Sequence, residues 1–143
     1  MSTPSRPPTY RTGKICYIEI PATDVNHSAD FYRRAFGWQT RQRGDGSTAL
    51  DDTVNEVSGS WVLGRKPATE PGLMLYIMVG NAASAVQAIV SAGGEIVHQS
   101  VPGAREVVAT FRDPAGNLIG IYQQPGLAEA EARQSSAVAG RPS

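Results

Sequence analysis

The chain has 143 residues, 41% of them hydrophobic and 18% charged, which suits one domain with a single core. Its 13 basic and 13 acidic residues cancel, which argues against nucleic acid or an anionic membrane surface as a main partner. The single cysteine, Cys16, excludes an intramolecular disulfide, and the sequence contains neither a secretory signal nor an apolar run of membrane-spanning length. We therefore expect a soluble, cytoplasmic protein.

Both ends of the sequence are rich in small and polar residues. Residues 1–13 contain three prolines, and the tail at 125–143 has few large apolar side chains. Because such segments bury too little surface to offset their ordering entropy, we expect both to be flexible. An Ala- and Glu-containing part of the tail could form a short helix.

The first half of the remaining sequence, residues 14–70, predicts a strand, a helix and three further strands. Residues 14–20 alternate at the strand period. Residues 25–36 place their apolar side chains on one helical face, after a cap at Thr23 or Asp24 and before Gly37. Turns that contain Gly and Asp separate three short strand candidates at 38–43, 47–53 and 60–65.

The second half, residues 71–124, repeats this order. A strand at 72–79 precedes a helix that Asn81 caps and that Gly93 and Gly94 end. Strands at 95–100, 105–113 and 117–124 follow, and "DPAGN" forms a turn before the last of them. Since each half is too small to cover its own sheet, we predict an α+β fold of two tandem β-α-β-β-β modules.

Alternation along the strands separates a uniformly aliphatic face from a mixed face. We expect the aliphatic residues, Cys16 among them as a small buried hydrophobe, to pack against the helices. They are Cys16, Ile18, Ile20, Leu75, Ile77, Val79, Ile119 and Ile121. We expect the mixed face to line a ligand cavity; its residues are Tyr17, Glu19, Met74, Tyr76, Met78, Gly120 and Tyr122.

Two stretches are typical of one group of proteins. They are "YIEIPATDVNHSADFYRRAFGW" at 17–38 and "FRDPAGNLIGIYQQ" at 111–124. In this order, one in each half, they resemble the vicinal oxygen chelate superfamily of glyoxalases, bleomycin-resistance proteins and extradiol dioxygenases. The resemblance covers residues 14–124 and implies a U-shaped, cavity-enclosing mixed sheet with helices on its outer face. It also implies a homodimer, because single-domain members often pair.

Metal-dependent members of that superfamily carry a His, Glu or Gln ligand on the first and last strand of each module. The matching positions in this sequence are Tyr17, Leu63, Met74 and Gly120. Together they do not supply the oxygen or nitrogen donors that a divalent cation needs. The two histidines, His27 and His98, lie elsewhere, on the first helix and on a middle strand. We therefore predict neither a metal nor a cofactor.

The expected cavity has two groups of candidate residues. Trp38 and Trp61 could join the Met and Tyr side chains in binding a partly aromatic or hydrophobic compound, although both could equally belong to an ordinary core or a dimer interface. Glu19 could act as a general base, with Tyr17 as a hydrogen-bond donor. Alternatively, Glu19 could form an ion pair with an arginine such as Arg105 or Arg112.

These features favour a metal-independent binding protein of the glyoxalase/bleomycin-resistance type that sequesters a small molecule without chemistry. The alternative is a metal-free enzyme of the isomerase, cyclase or lyase type, in which Glu19 moves a proton next to a carbonyl. A divalent-metal glyoxalase or dioxygenase is a third possibility. We expect the Arg33-Arg34 pair and the segment "RQRGD" at 41–45 to be solvated surface.

Overall fold

A computed structural model describes residues 7–139, so residues 1–6 and 140–143 of the two expected flexible ends lie outside the described part. The elements are β1 (Tyr17–Pro21), α1 (Val25–Phe36), β2 (Gln39–Gln42), β3 (Thr48–Asp51), β4 (Ser58–Val62), β5 (Tyr76–Val79), α2 (Ala82–Ser91), β6 (Glu95–Gln99), β7 (Val108–Arg112), β8 (Leu118–Gln123) and α3 (Leu127–Ala139). No helix in the described part is long and apolar enough to cross a membrane.

The strands form two four-stranded mixed sheets, one for each half of the chain. Sheet one has the order β1-β4-β3-β2, and sheet two has the order β5-β8-β7-β6. In each sheet the first strand runs parallel to the last strand of its module, while the other pairs are antiparallel. The predicted α+β fold with two tandem β-α-β-β-β modules is therefore confirmed.

The first helix begins and ends at the residues that favour such boundaries. The Asp24 carboxylate accepts a hydrogen bond from the backbone N–H of His27 at 3.0 Å, as an N-cap does. Gly37 ends the helix in the left-handed region, at φ 77°, and donates its N–H to the carbonyl of Arg33. Between these caps, α1 buries Phe31 and Tyr32.

One hydrophobic core contains residues of both modules. The Phe31 ring of α1 lies 5.8 Å from the ring of Phe111 in β7, so the helix of module one packs against sheet two. The neighbouring Tyr32 ring stacks on Trp38 at 4.7 Å and lies 6.1 Å from Trp61. Both tryptophans are buried in this core. The two modules therefore stabilise each other through the helix-side faces of their sheets.

A buried polar junction, formed by the turn between β7 and β8, also joins the modules. The Tyr32 hydroxyl donates to Asp113 Oδ2 at 2.8 Å, and the Asn117 side-chain amide donates to the carbonyl of Pro21 at 2.7 Å. Burial, followed by the charge of Asp113, raises the pKa of Tyr32 well above its usual value. The Tyr32 hydroxyl therefore keeps its proton and remains a donor to Asp113.

In the C-terminal segment, residues Leu127–Ala139 form α3, a helix at the place where the Ala and Glu content allowed one. The helix packs closely against Gly80, where a Cβ atom would lie 3.2 Å from the backbone of Ala128. Leu127 also lines an apolar cavity between the sheets. Leu127 and Ala128 are half-buried by these contacts, whereas residues 131–135 are exposed.

The region of the first strand before residue 17 differs from expectation. Cys16 is exposed, not buried. The paired register of β1 starts at Tyr17, opposite Ser58, and the side chains that pack on the core begin at Ile18. Cys16 therefore lies beyond the part of the strand that the core covers.

Candidate functional site

The face of each sheet that points away from the shared core is open, and its residues follow from the strand register. On sheet one they are Tyr17, Glu19, Arg41, Ala49, Asp51, Ser58 and Ser60. On sheet two they are Tyr76, Met78, His98, Val108, Thr110, Arg112, Leu118, Gly120 and Tyr122. Sheet one thus presents a mainly polar face, and sheet two a mainly apolar and aromatic one.

Tyr76 and Met78 project from the edge strand of sheet two and form what we call the β5 ridge. Their exposed fractions are 53% and 59%, which is high for two large apolar side chains on one short strand. The Tyr76 ring lies across Gly120, its parallel partner on β8, where a Cβ atom would be 2.5 Å from the ring carbons. Only a glycine on β8 leaves room for the ring in this position.

Two cavities flank the β5 ridge. A cavity of about 470 Å³ lies between the sheets and is lined by side chains of both, including Ile20, Leu50 and Ile119, with Trp38 among its walls. A cavity of about 410 Å³ lies on the open face of sheet two and is lined by Tyr76, Met78, Glu106, Val108 and Tyr122. Both volumes lie within the range of small-molecule sites. The ridge residues line both cavities.

Hydrogen bonds connect the polar side chains of sheet one. The Tyr17 hydroxyl donates to Ser60 Oγ at 3.1 Å and accepts from the Arg43 guanidinium at 2.9 Å. The bond with Ser60, followed by the bond with Arg43, lowers the pKa of Tyr17. Nearby, Arg41 donates two hydrogen bonds to Asp51, at 2.6 and 3.1 Å. The pKa of Asp51 falls mainly because of these bonds.

Glu19 forms an ion pair with Arg65, whose Nη1 atom lies 3.0 Å from the carboxylate. The expected alternative of an ion pair is therefore present, but the partner is neither Arg105 nor Arg112. The side chains of Glu19 and Arg65 are both about half exposed. Arg65 becomes the partner because it follows β4, the strand that pairs directly with β1. The desolvation that would suit Glu19 to act as a general base is absent from this arrangement.

In each module, the strand register changes one of the residues assigned to the family's metal positions. Leu63 lies beyond the end of β4 and is exposed, whereas the β4 residues opposite Tyr17 and Glu19 are Ser58 and Ser60. Met74 precedes β5, so that Tyr76 is the residue paired with Gly120. The sequence alone does not fix the strand register here, because residues 58–60 and 72–75 show no clear alternation of apolar and polar side chains.

The residues at the corrected positions do not fit a divalent cation. They offer hydroxyl groups from Tyr17, Ser58, Ser60 and Tyr76, and no side-chain donor from Gly120. Within residues 7–139, no group of three or more His, Cys, Asp or Glu side chains is placed to hold a metal ion.

A profile of the glyoxalase-like domain family matches residues 17–122, from the start of β1 to β8. The chain belongs to this family. It is 29% identical over 125 residues to a glyoxylase-like domain-containing protein of Didymella fabae, covering 80% of this chain and 96% of that protein. The predicted relationship to the vicinal oxygen chelate superfamily is thereby confirmed.

Solved structures share the fold of this glyoxalase-like domain at low sequence identity. A glyoxalase/bleomycin resistance protein/dioxygenase superfamily member from Sphaerobacter thermophilus superposes with a TM-score of 0.65 at 15% identity, covering 78% of this chain and 98% of that one. TnmS3, an antibiotic binding protein from Streptomyces sp. CB03234, gives a TM-score of 0.60 at 19% identity, covering 80% and 98%. At these identities the likeness establishes the fold alone.

The glyoxalase-like domain brings some of the predicted ligand-binding residues together and separates others. Tyr76, Met78, Gly120 and Tyr122 meet on sheet two. The remaining predicted residues lie elsewhere. Trp38 lines the cavity between the sheets, Trp61 lies in the core, Met74 lines neither described cavity, and Tyr17 and Glu19 lie on sheet one.

Sequence reasoning missed the arginines of sheet one. Arg41 and Arg43 were expected to be solvated surface, yet each is held by side chains of the open face. The alternation of side chains along β2 is the feature that could have indicated their position. When β2 pairs with β3, it places Gln39 and Arg41 on the same face as Asp51. That pairing register, however, is not visible in the sequence of either strand.

Proposed function

We propose that this glyoxalase-like domain is a metal-independent binding protein that sequesters a small, partly aromatic or hydrophobic compound at the β5 ridge. The observation that carries the proposal is the position of Tyr76 and Met78, which are more than half exposed and line both cavities. Covering such side chains with a ligand removes apolar surface from water. The description of TnmS3 as an antibiotic binding protein supports a ligand of this class.

Metal independence rests on the donor set, which is built from hydroxyl groups and a glycine at the family's metal positions. The position of Glu19, the candidate base, supports sequestration without turnover. Glu19 forms an ion pair with Arg65 and lies on sheet one, whereas the ridge lies on sheet two. A ligand at the ridge would contact Tyr and Met side chains, which bind through shape and polarizability.

The proposal is tested with Nile red, a neutral aromatic dye whose fluorescence reports transfer to an apolar site. We expect Tyr76→Ala to weaken dye binding roughly tenfold, because the variant loses the ring surface that the dye would cover. A tenfold change in Kd corresponds to about 1.4 kcal/mol of binding free energy. Val90→Ala is the matched control, since Val90 is 54% exposed but lies on α2. Treatment with EDTA is expected to leave the Kd unchanged. Equal Kd values for the two variants, or loss of binding with EDTA, would contradict the proposal.

Gly120→Ala provides a second variant, in which Tyr76 and Met78 are not themselves substituted. The added Cβ would meet the Tyr76 ring at 2.5 Å, and the ring can turn away because it is exposed. The variant should therefore fold and yet bind Nile red more weakly than the wild type.

We further propose that the protein forms a homodimer through the edges at β1 and β5. Both are edge strands of their sheets. An exposed apolar residue lies just before each strand: Ile15, two residues before β1, and Leu75, immediately before β5. Paired edges would satisfy open backbone groups and cover this apolar surface. A second copy would also enclose the cavities at the ridge.

The dimer is tested by sedimentation equilibrium of the full chain. We expect twice the monomer mass for the wild type and a shift toward the monomer for Ile15→Asp, because a charge would enter the apolar edge. Val101→Asp is the control, since Val101 is 73% exposed against 74% for Ile15 but lies in the loop after β6. A monomeric wild type would refute the assembly.

A further inference from the structure

The open face of sheet one carries three arginines but only two carboxylates that pair with them. Arg41 pairs with Asp51 at 2.6 Å, and Arg65 pairs with Glu19 at 3.0 Å. Arg43, by contrast, forms no ion pair with any carboxylate of residues 7–139. The face therefore keeps one positive charge without a bonded counter-charge, and that charge is on Arg43.

The Arg43 side chain is nevertheless held in place. Its Nη2 atom donates to the Tyr17 hydroxyl at 2.9 Å and lies 3.5 Å from the carbonyl oxygen of Gly59. Its guanidinium carbon lies 5.5 Å from the centre of the Tyr17 ring, a cation–π distance. A guanidinium fixed in this way loses less conformational entropy when it binds an anion than one that moves freely in solvent.

Donor groups of Arg43 remain for a ligand. Within the described chain, its Nε and Nη1 atoms form no hydrogen bond, because both contacts use Nη2. Two neighbouring hydroxyl groups, those of Tyr17 and Ser60, are bonded to each other at 3.1 Å and can reorient toward an incoming oxygen. The Tyr17 ring adds an exposed aromatic face beside the charge.

We propose that Arg43, Tyr17 and Ser60 form an anion site that binds the carboxylate of a small aromatic acid. A planar carboxylate matches two parallel N–H groups of a guanidinium, and an aromatic body can pack against the Tyr17 ring. The site lies on sheet one, whereas the β5 ridge lies on sheet two. It does not depend on the function proposed for the ridge. Phosphate shares the anionic chemistry, and the experiment separates it from the carboxylate.

The experiment titrates the full-length protein with benzoate and, separately, with inorganic phosphate, by calorimetry. We expect benzoate to bind the wild type, and Arg43→Gln to weaken that binding at least tenfold. Arg43→Lys should also bind benzoate more weakly than the wild type, because an ammonium cannot form the two parallel bonds. Arg33→Gln is the control, since Arg33 is exposed on α1 and pairs with Asp30. Equal affinity in Arg43→Gln and Arg33→Gln, or tighter binding of phosphate than of benzoate, would overturn the assignment.

A spectroscopic readout separates the site from a general loss of fold. The bond with Ser60, followed by the bond with Arg43, lowers the pKa of Tyr17, and the negative charge of a carboxylate bound beside the phenol would raise it. Benzoate should therefore shift one phenol titration, measured by ultraviolet difference absorbance, to higher pH. The shift should be absent in Tyr17→Phe and in Arg43→Gln. A shift that persists in either variant would refute the site.

Discussion

Asn117→Ala is expected to lower the free energy of unfolding by about 3–4 kcal/mol. The side chain is 1% exposed and makes three bonds within the polar junction. It donates to Pro21 at 2.7 Å and to Asp113 at 2.9 Å, and it accepts from the backbone of Ala68 at 2.8 Å. Alanine would remove these bonds from the Pro21 carbonyl and the Ala68 N–H, and would leave Asp113 Oδ2 with Tyr32 as its remaining side-chain donor. Each bond lost in this partly water-excluded junction costs about 1–3 kcal/mol before water enters.

Urea denaturation followed by tryptophan fluorescence measures the effect of Asn117→Ala. Asn26→Ala is the matched control, because Asn26 is exposed on α1 and its loss should change stability by no more than about 0.5 kcal/mol. If both variants unfold at the wild-type midpoint, the junction does not stabilise the fold in the way that its hydrogen bonds indicate.

Phe31→Ala is expected to destabilise the protein by about 3–5 kcal/mol. Phe31 is fully buried, and its ring lies 5.0 Å from that of Tyr32 and 5.8 Å from that of Phe111. Removing the ring leaves a cavity between α1 and sheet two. Since Phe31 belongs to module one and Phe111 to module two, both halves should lose stability together, in a single transition.

Phe31→Leu is the control for Phe31→Ala, because leucine keeps most of the volume and should cost about 1 kcal/mol. Near-ultraviolet circular dichroism and tryptophan fluorescence are recorded through the same urea titration. Two separated transitions in Phe31→Ala would show that the modules unfold independently, which the shared core does not predict.

Much of the fold could be predicted from local sequence. The cap at Asp24 and the ends at Gly37 and Gly93 fix the helices, and alternation fixes which side of β5 and β8 packs on the core. Helix caps and strand alternation involve only a few consecutive residues, so they can be recognised without knowing which strand is the partner. The two motifs, one in each half, then supplied the order of the modules.

The candidate site was harder to predict because it depends on register between distant strands. The last strand of module one, Ser58–Val62, is mostly buried and lacks alternation of apolar and polar residues. The sequence therefore assigns the family's metal position to Leu63, although the β4 residue opposite Glu19 is Ser60. The ion pair between Arg65 and Glu19 depends on the same strand pairing, because Arg65 follows β4. In the same way, the core position of Trp61 follows from its place next to Ile20, which only the parallel pairing reveals.

The polar junction also joins parts of the chain that lie far apart in sequence. The amide of Asn117 and the carbonyl of Pro21 are separated by 96 positions, and Tyr32 and Asp113 by 81. Closing loops of this length costs chain entropy before any contact repays it. The hydrogen bonds of the junction therefore form only when both modules have come together, and we expect their long sequence separation to slow folding.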